Sequence, residues 1–299
     1  MSNPTLDPGE KIAAVNGLEL CYQTFGSPDD PALLLIMGLG AQMILWPDGF
    51  CDELAARGFW VIRFDNRDVG KSSKINIPPL DLAKVMFSLK PGEKFDAPYL
   101  LADMAADSVA LLDALGVDKA HIVGASMGGM IAQEVAIRHP ERVLSLTSIM
   151  STTGDPSLPP PSPHLAGVFL APPPRNAQEY VEANVIAFRL FRGEGYPEEV
   201  ARDRILAARA ASRGFDPAGG ARQLTAILAS GSRKPALSAV KARTLVIHGA
   251  DDPLVPLAAG EDTARAIPGA KLVVIDRMGH SLPRTVWPRI LDEIVGVAR

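Results

Sequence analysis

Short apolar runs alternate with longer amphipathic segments along most of this 299-residue chain. Leu18–Gly26, Ala32–Gly38, Phe59–Asp65, Ala120–Ala125, Val143–Met150, Arg243–Gly249 and Ala270–Asp276 have the length of strands. A strand that is apolar on consecutive residues is buried on both faces, the condition of a parallel sheet covered by helices. Between these runs, Tyr99–Gly116 places apolar residues three and four apart. Pro47–Gly58 opens with proline and closes with glycine, and Met127–Arg138 follows a strand directly. The alternation predicts an α/β fold with a mostly parallel central sheet and helices on both faces.

The pattern is interrupted once at length. Ser151–Arg175 is crowded with proline, two helical stretches follow (Asn176–Phe191 and Pro197–Ser212), and no strand-like run appears before Arg243. The expectation is an α/β core built from residues 1–152 and 239–299, with a helical cap inserted at 153–238. A smaller departure, Ile75–Pro98, is too long for an ordinary strand–helix loop.

Composition narrows the function classes. A net charge of −4 gives no basic footprint for nucleic acid or an anionic membrane. Cys21 and Cys51 sit in no metal-type spacing, so no metal site is expected. The first fifteen residues lack a charged start followed by an apolar stretch, and the longest apolar run is too short to span a bilayer. A soluble, cytoplasmic protein with no nucleic-acid or membrane partner is expected.

Open α/β sheets bind ligands beyond the carboxyl ends of their strands. There, Gly124-Ala125-Ser126-Met127-Gly128 joins an apolar strand to a helix. A serine in G-x-S-x-G at such a turn is held in a strained backbone conformation that projects its hydroxyl as a nucleophile. The plainer reading is a tight turn whose serine caps the helix. A nucleophilic serine needs a base, and the base an orienting acid. Of the five histidines, His280 stands in a loop just after a strand, where chemistry is expected. His121, His139, His164 and His248 fall within strands, at a helix end or in the insertion. Two carboxylates, Asp251 and Asp252, compete for the acid after the strand Arg243–Gly249. The chain order Ser, Asp, His is that of α/β-hydrolases.

The segments "PALLLIMGLG", "WPDGFCDELAARGFWVIRFDNRDVGKS", "HIVGASMGG", "TLVIHGADDPLVP" and "MGHSLP" together resemble the α/β-hydrolase family, and more narrowly the aclacinomycin methylesterase-type esterases. The resemblance runs nearly end to end, apart from the insertion. It implies that Asp252, directly before the P-L-V-P segment, is the acid. It also implies an oxyanion hole made by the backbone N–H groups of Leu39 and Met127. Many relatives carry histidine where this chain has Met37, so any role of that side chain is lost while the backbone donor stays. Arg67, in the dense charged run after Phe59–Asp65, is expected to pair structurally with a carboxylate near the elbow.

The rival readings are fewer. A dinucleotide fingerprint would need glycine where Met43 stands. Dehalogenases and epoxide hydrolases of the fold use aspartate in place of Ser126. C–C bond hydrolysis or acyl transfer would use the same triad, and a non-catalytic receptor could keep the fold. The sequence favours a serine carboxylic ester hydrolase acting through an acyl-enzyme on small to medium apolar esters, with no metal or organic cofactor. Phe169, Leu170, Phe188 and Phe191 are expected to pack the core of the cap first and to wall the substrate pocket second, with Met86 and Phe87 of the Ile75–Pro98 segment adding to that wall. Met86, Phe87, Phe169 and Phe188 are the candidate pocket residues.

Overall fold

The computed structural model describes residues 5–78, 96–169, 171–193, 195–196 and 199–299. The strands are β1 (Glu10–Val15), β2 (Leu18–Phe25), β3 (Ala32–Ile36), β4 (Trp60–Phe64), β5 (Ala120–Ala125), β6 (Val143–Ile149), β7 (Arg243–Gly249) and β8 (Lys271–Ile275). Among the described residues they form one sheet in the order β1-β2-β4-β3-β5-β6-β7-β8. β1 and β2 pair antiparallel at one edge, β2 pairs antiparallel with β4, and every pairing from β4 to β8 is parallel.

The helices are α1 (Asp48–Ala56), α2 (Leu101–Ala114), α3 (Met127–Arg138), α4 (Ala166–Phe169), α5 (Ala177–Arg192), α6 (Val200–Arg213), α7 (Pro217–Ser230), α8 (Lys234–Leu237), α9 (Leu257–Ala266) and α10 (Trp287–Ala298). All residues of β3 and β5 are buried, because successive side chains enter two different cores. Leu34, Ile36 and Ile122 pack with Leu111 and Leu112 of α2 and Ile131 and Val135 of α3. Leu33, Leu35 and Val123 pack on the opposite face with Phe50 and Leu54 of α1 and Ile290 and Leu291 of α10. Each fully buried leucine or isoleucine of this kind contributes about 1.5–3 kcal/mol. The central strands are therefore packed on both faces, and the loops at their carboxyl ends start from that packed base.

β1 has no counterpart among the strands expected from the sequence. Its inward face carries a charge: Glu10 is buried and binds Lys71 Nζ at 2.6 Å and Arg213 Nε at 2.8 Å. An apolar pattern cannot reveal a strand whose buried face begins with a carboxylate.

From β6 to β7 the described chain contains no strand and runs through α4 to α8. α5 and α6 pack on each other, α7 meets α2, and α8 lies against α3 and α9. Buried charge pairs fasten this segment to the loop after β4. Arg213, at the end of α6, binds Asp65 at 2.8 Å, and both side chains are fully buried. Arg222 of α7 binds both oxygens of Asp68, at 2.7 and 3.0 Å. Removing one partner of a buried pair leaves an uncompensated charge, at a cost of about 3–5 kcal/mol. Arg213→Met is accordingly expected to lower the melting temperature by on the order of 5–10 °C in a thermal scan. An unchanged melting temperature would mean that water or a rearranged side chain replaces the guanidinium.

Candidate active site

The turn between β5 and α3 holds Ser126 at φ 56° and ψ −123°, a conformation that costs a non-glycine residue about 1–3 kcal/mol. The surroundings over-determine it. Ser126 N–H donates to Ile149 O at 2.9 Å, and its carbonyl accepts from Ser151 Oγ at 2.8 Å and Gly129 N–H at 2.9 Å. The flanking glycines are required by contact distance. A Cβ on Gly124 would fall 2.0 Å from Gly128 O, and one on Gly128 would fall 2.0 Å from Ile36 O. Of residues 120–136, only Ser126 is not buried. Its side chain makes no capping bond to α3, so the plainer reading of the motif does not describe it.

His280 follows β8, and its ring is committed on one side. Nδ1 donates to Asp252 Oδ2 at 2.8 Å, which leaves Nε2 to exchange a proton. Its backbone N–H donates to Phe191 O at 2.6 Å, and Gly279 N–H donates to Arg192 O at 3.1 Å. The end of α5 thus fixes the loop that carries the imidazole. Phe191 also sets its ring edge-on to His280, with centroids 6.2 Å apart.

Asp252 is buried, while Asp251 is exposed. Asp252 Oδ1 accepts the N–H groups of Leu254 at 2.9 Å and Val255 at 2.8 Å, and Oδ2 faces His280. Asp251 contributes only its backbone N–H, to Met278 O. Of the two aspartates, Asp252 is the one that meets the imidazole.

Ser126 and His280 line one cavity of about 260 Å³. The described hydrogen bonds include none between Ser126 Oγ and the imidazole; such catalytic bonds commonly tighten only when substrate is bound. The wall is mainly apolar, with Met37, Leu45, Met150, Phe188, Phe191 and Leu206 around the serine. Two ion pairs, Arg192–Asp203 and Glu199–Arg202, are the charged part of that lining. Leu39 also lines the cavity, and no turn, loop or cap hydrogen bond among the described residues uses the N–H of Leu39 or Met127. Gly38 lies so near the serine that a Cβ there would sit 3.0 Å from Ser126 Cβ.

Met86, Phe87 and Leu170 lie outside the described residues, as does the side chain of Phe169. Phe188 is on the cavity wall. Arg67 pairs with Asp107 of α2 at 2.6 and 2.7 Å, and α2 packs on the elbow helix α3. The remaining histidines are placed elsewhere. His121 binds Ser145 Oγ, and burial pushes it down to about 4. His139 ends α3, and His164 is exposed beside Ser162.

Sequence reasoning missed three participants. Burial lowers the pKa of His248, which braces the Asp252 turn through a 2.7 Å bond from Nε2 to Val255 O. Asn66 Nδ2 donates to Met37 O at 3.0 Å, and Gln223 Oε1 accepts the N–H of Gly40 at 2.8 Å. Asn66 stands inside the charged run and Gln223 in a helix remote in sequence, so neither carries a local signal. No group of three or more His, Cys, Asp or Glu among the described residues could hold a metal ion. No helix among them is long and apolar enough to cross a membrane.

Comparison with known proteins agrees with this architecture. The chain is 35% identical over 289 residues to rhodomycin D methylesterase DnrP of Streptomyces peucetius, covering 89% of this chain and 90% of that protein. It is 34% identical to rhodomycin D methylesterase DauP of Streptomyces sp. strain C5, with the same coverage. The crystal structure of a hydrolase from Pseudomonas aeruginosa PA01 superimposes with a TM-score of 0.70 at 25% identity, covering 97% of this chain and 98% of that one. Residues 31–283 match the family described as the alpha/beta hydrolase fold. On the strength of that match and of its methylesterase relatives, the chain belongs to the alpha/beta hydrolase fold family.

Proposed function

We propose that this protein is a carboxylic ester hydrolase that works through an acyl-enzyme on Ser126. The observation that carries the reading is the 2.8 Å bond from His280 Nδ1 to Asp252, made by an imidazole that lines the same cavity as a strained serine. His280 Nε2 takes the proton of Ser126 as the oxygen attacks the ester carbonyl. The N–H groups of Leu39 and Met127 receive the charge that develops on the carbonyl oxygen, and such donors act without reorganising. The alcohol leaves with the proton held by His280. Water, deprotonated by the same nitrogen, then attacks the acyl-serine and releases the acid. Asp252 keeps the ring in the tautomer that exposes a basic Nε2 and stabilises the imidazolium.

The cavity wall supports an apolar acyl group as substrate, because mainly apolar linings gain most from burying apolar surface. Two relatives act, by name, on a methyl ester, so the leaving alcohol is proposed to be small. Residues 153–238 are proposed to form the cap over this cavity, with Phe188 and Phe191 of α5 as its inner wall. The test is a panel of esters varied separately in acyl and alcohol parts, read as kcat/KM. Methyl esters of large apolar acids are expected to outrun short polar ones. Absence of turnover above a Ser126→Ala control across the whole panel would leave a binding protein on a hydrolase fold.

A further inference from the structure

The oxyanion loop, Met37 to Gly40, has no secondary structure of its own to hold it. Its only intrinsic bond among the described residues is from Ala41 N–H to Gly38 O, at 3.2 Å. Yet a hole made of backbone N–H groups works only if they stand where the charge will form, within a few tenths of an ångström. Two side chains supply the missing constraint. Asn66 holds the Met37 carbonyl from the strand side. Gln223, on α7 (Pro217–Ser230), reaches the other end of the loop.

Gln223 is fully buried and uses both ends of its amide. Oε1 accepts the N–H of Gly40 at 2.8 Å, and Nε2 donates to Arg67 O at 2.8 Å. Only this orientation satisfies both neighbours, since the flipped amide would set donor against donor and acceptor against acceptor. Arg67 is itself fixed by Asp107, and the adjacent Arg222 is fixed by Asp68. The glutamine therefore hangs from a stationary carbonyl and pins Gly40, which sits at φ 64°. Gln223 is absent from the lining of the cavity, so it does not meet substrate.

We infer that Gln223 is a positioning residue for catalysis: it fixes Gly40 so that the neighbouring Leu39 N–H points at the oxyanion beside Ser126. The inference rests on the esterase reading above and adds a residue to it. It also makes a helix of the inserted segment part of the transition-state machinery, which a purely covering role would not do.

The experiment replaces Gln223 by methionine, which keeps length and volume but removes both hydrogen bonds, and by glutamate, which keeps an acceptor for Gly40 N–H. Amide hydrogen exchange is followed at Gly40, together with kcat, KM, and the affinity for a trifluoromethyl ketone that forms a tetrahedral oxyanion on Ser126. For Gln223→Met, exchange at Gly40 is expected to quicken at least about 10-fold. kcat is expected to fall about 10- to 100-fold with KM within about threefold, and ketone affinity should fall with kcat/KM. Gln223→Glu should keep Gly40 protected and retain more of kcat than the methionine variant. Unchanged exchange at Gly40 in Gln223→Met overturns the inference. So does faster exchange with wild-type kcat, or a loss of kcat that leaves ketone affinity untouched. A wild-type protein that neither turns over esters nor binds the ketone would instead defeat the esterase reading, and exchange at Gly40 would still report on the anchor.

Discussion

Ser126→Ala and His280→Ala are each expected to lower kcat by about 10⁴- to 10⁶-fold, with KM little changed. Neither side chain belongs to the apolar part of the wall, which Met37, Leu45, Met150, Phe188, Phe191 and Leu206 supply, so ester binding is expected to survive either change. Each is proposed to serve the same step, so the double variant should be no worse than the poorer single one. That non-additivity separates a shared proton transfer from two independent contributions. Neither change should cost much stability. Ser126→Ala removes a hydroxyl that makes no capping bond, and the strained backbone is held by Ile149 O and Ser151 Oγ, which stay. Steady-state rates on a methyl ester, with melting temperature as the folding control, provide the measurement. A serine variant that kept wild-type kcat would remove Ser126 from the mechanism.

Asp252→Asn is expected to cost about 10⁴-fold in kcat, while Asp251→Asn should stay within a few-fold of wild type. The size of the first effect follows from the hydrogen bonds around the carboxylate. Oδ1 must go on accepting the N–H groups of Leu254 and Val255, so an asparagine there turns its NH₂ toward His280. Nδ1 is then obliged to accept, the ring proton moves to Nε2, and the imidazole can no longer receive a proton from Ser126. The second effect is small because Asp251 is exposed and only its backbone is bonded. Equal losses in the two variants would mean that the turn, rather than the tautomer, is what matters.

The parallel strands were legible because burial on both faces writes an uninterrupted apolar run, as in β3 and β5. Helix α3 was legible to the residue, from Met127 to Arg138, because the elbow starts it and His139-Pro140 ends it. β1 was not, since Glu10 occupies its buried face. Within the candidate site, a serine between glycines and a histidine after a strand carry local signals, and the structure brings both to one cavity. Choosing Asp252 over Asp251 needed more than local chemistry, since burial and two turn N–H groups distinguish them and adjacent letters do not. Gln223 and Phe191 O lay beyond reach for a stronger reason. Their partners are far away in the chain, and a backbone carbonyl has no letter at all.

The two carbonyls at the end of α5 have a consequence for how such an enzyme diversifies. Phe191 O and Arg192 O hold the backbone of His280 and Gly279, and a Cβ on Gly279 would come within 2.4 Å of both. Directed evolution of selectivity that shifts this helix along its axis will therefore drag the imidazole with it. Changes confined to side chains one and two turns earlier, such as Phe188 and Asn184, reshape the chamber and leave the proposed proton-transfer geometry standing. A library built there should yield altered preferences at preserved turnover, whereas one built at the junction should yield mostly dead clones.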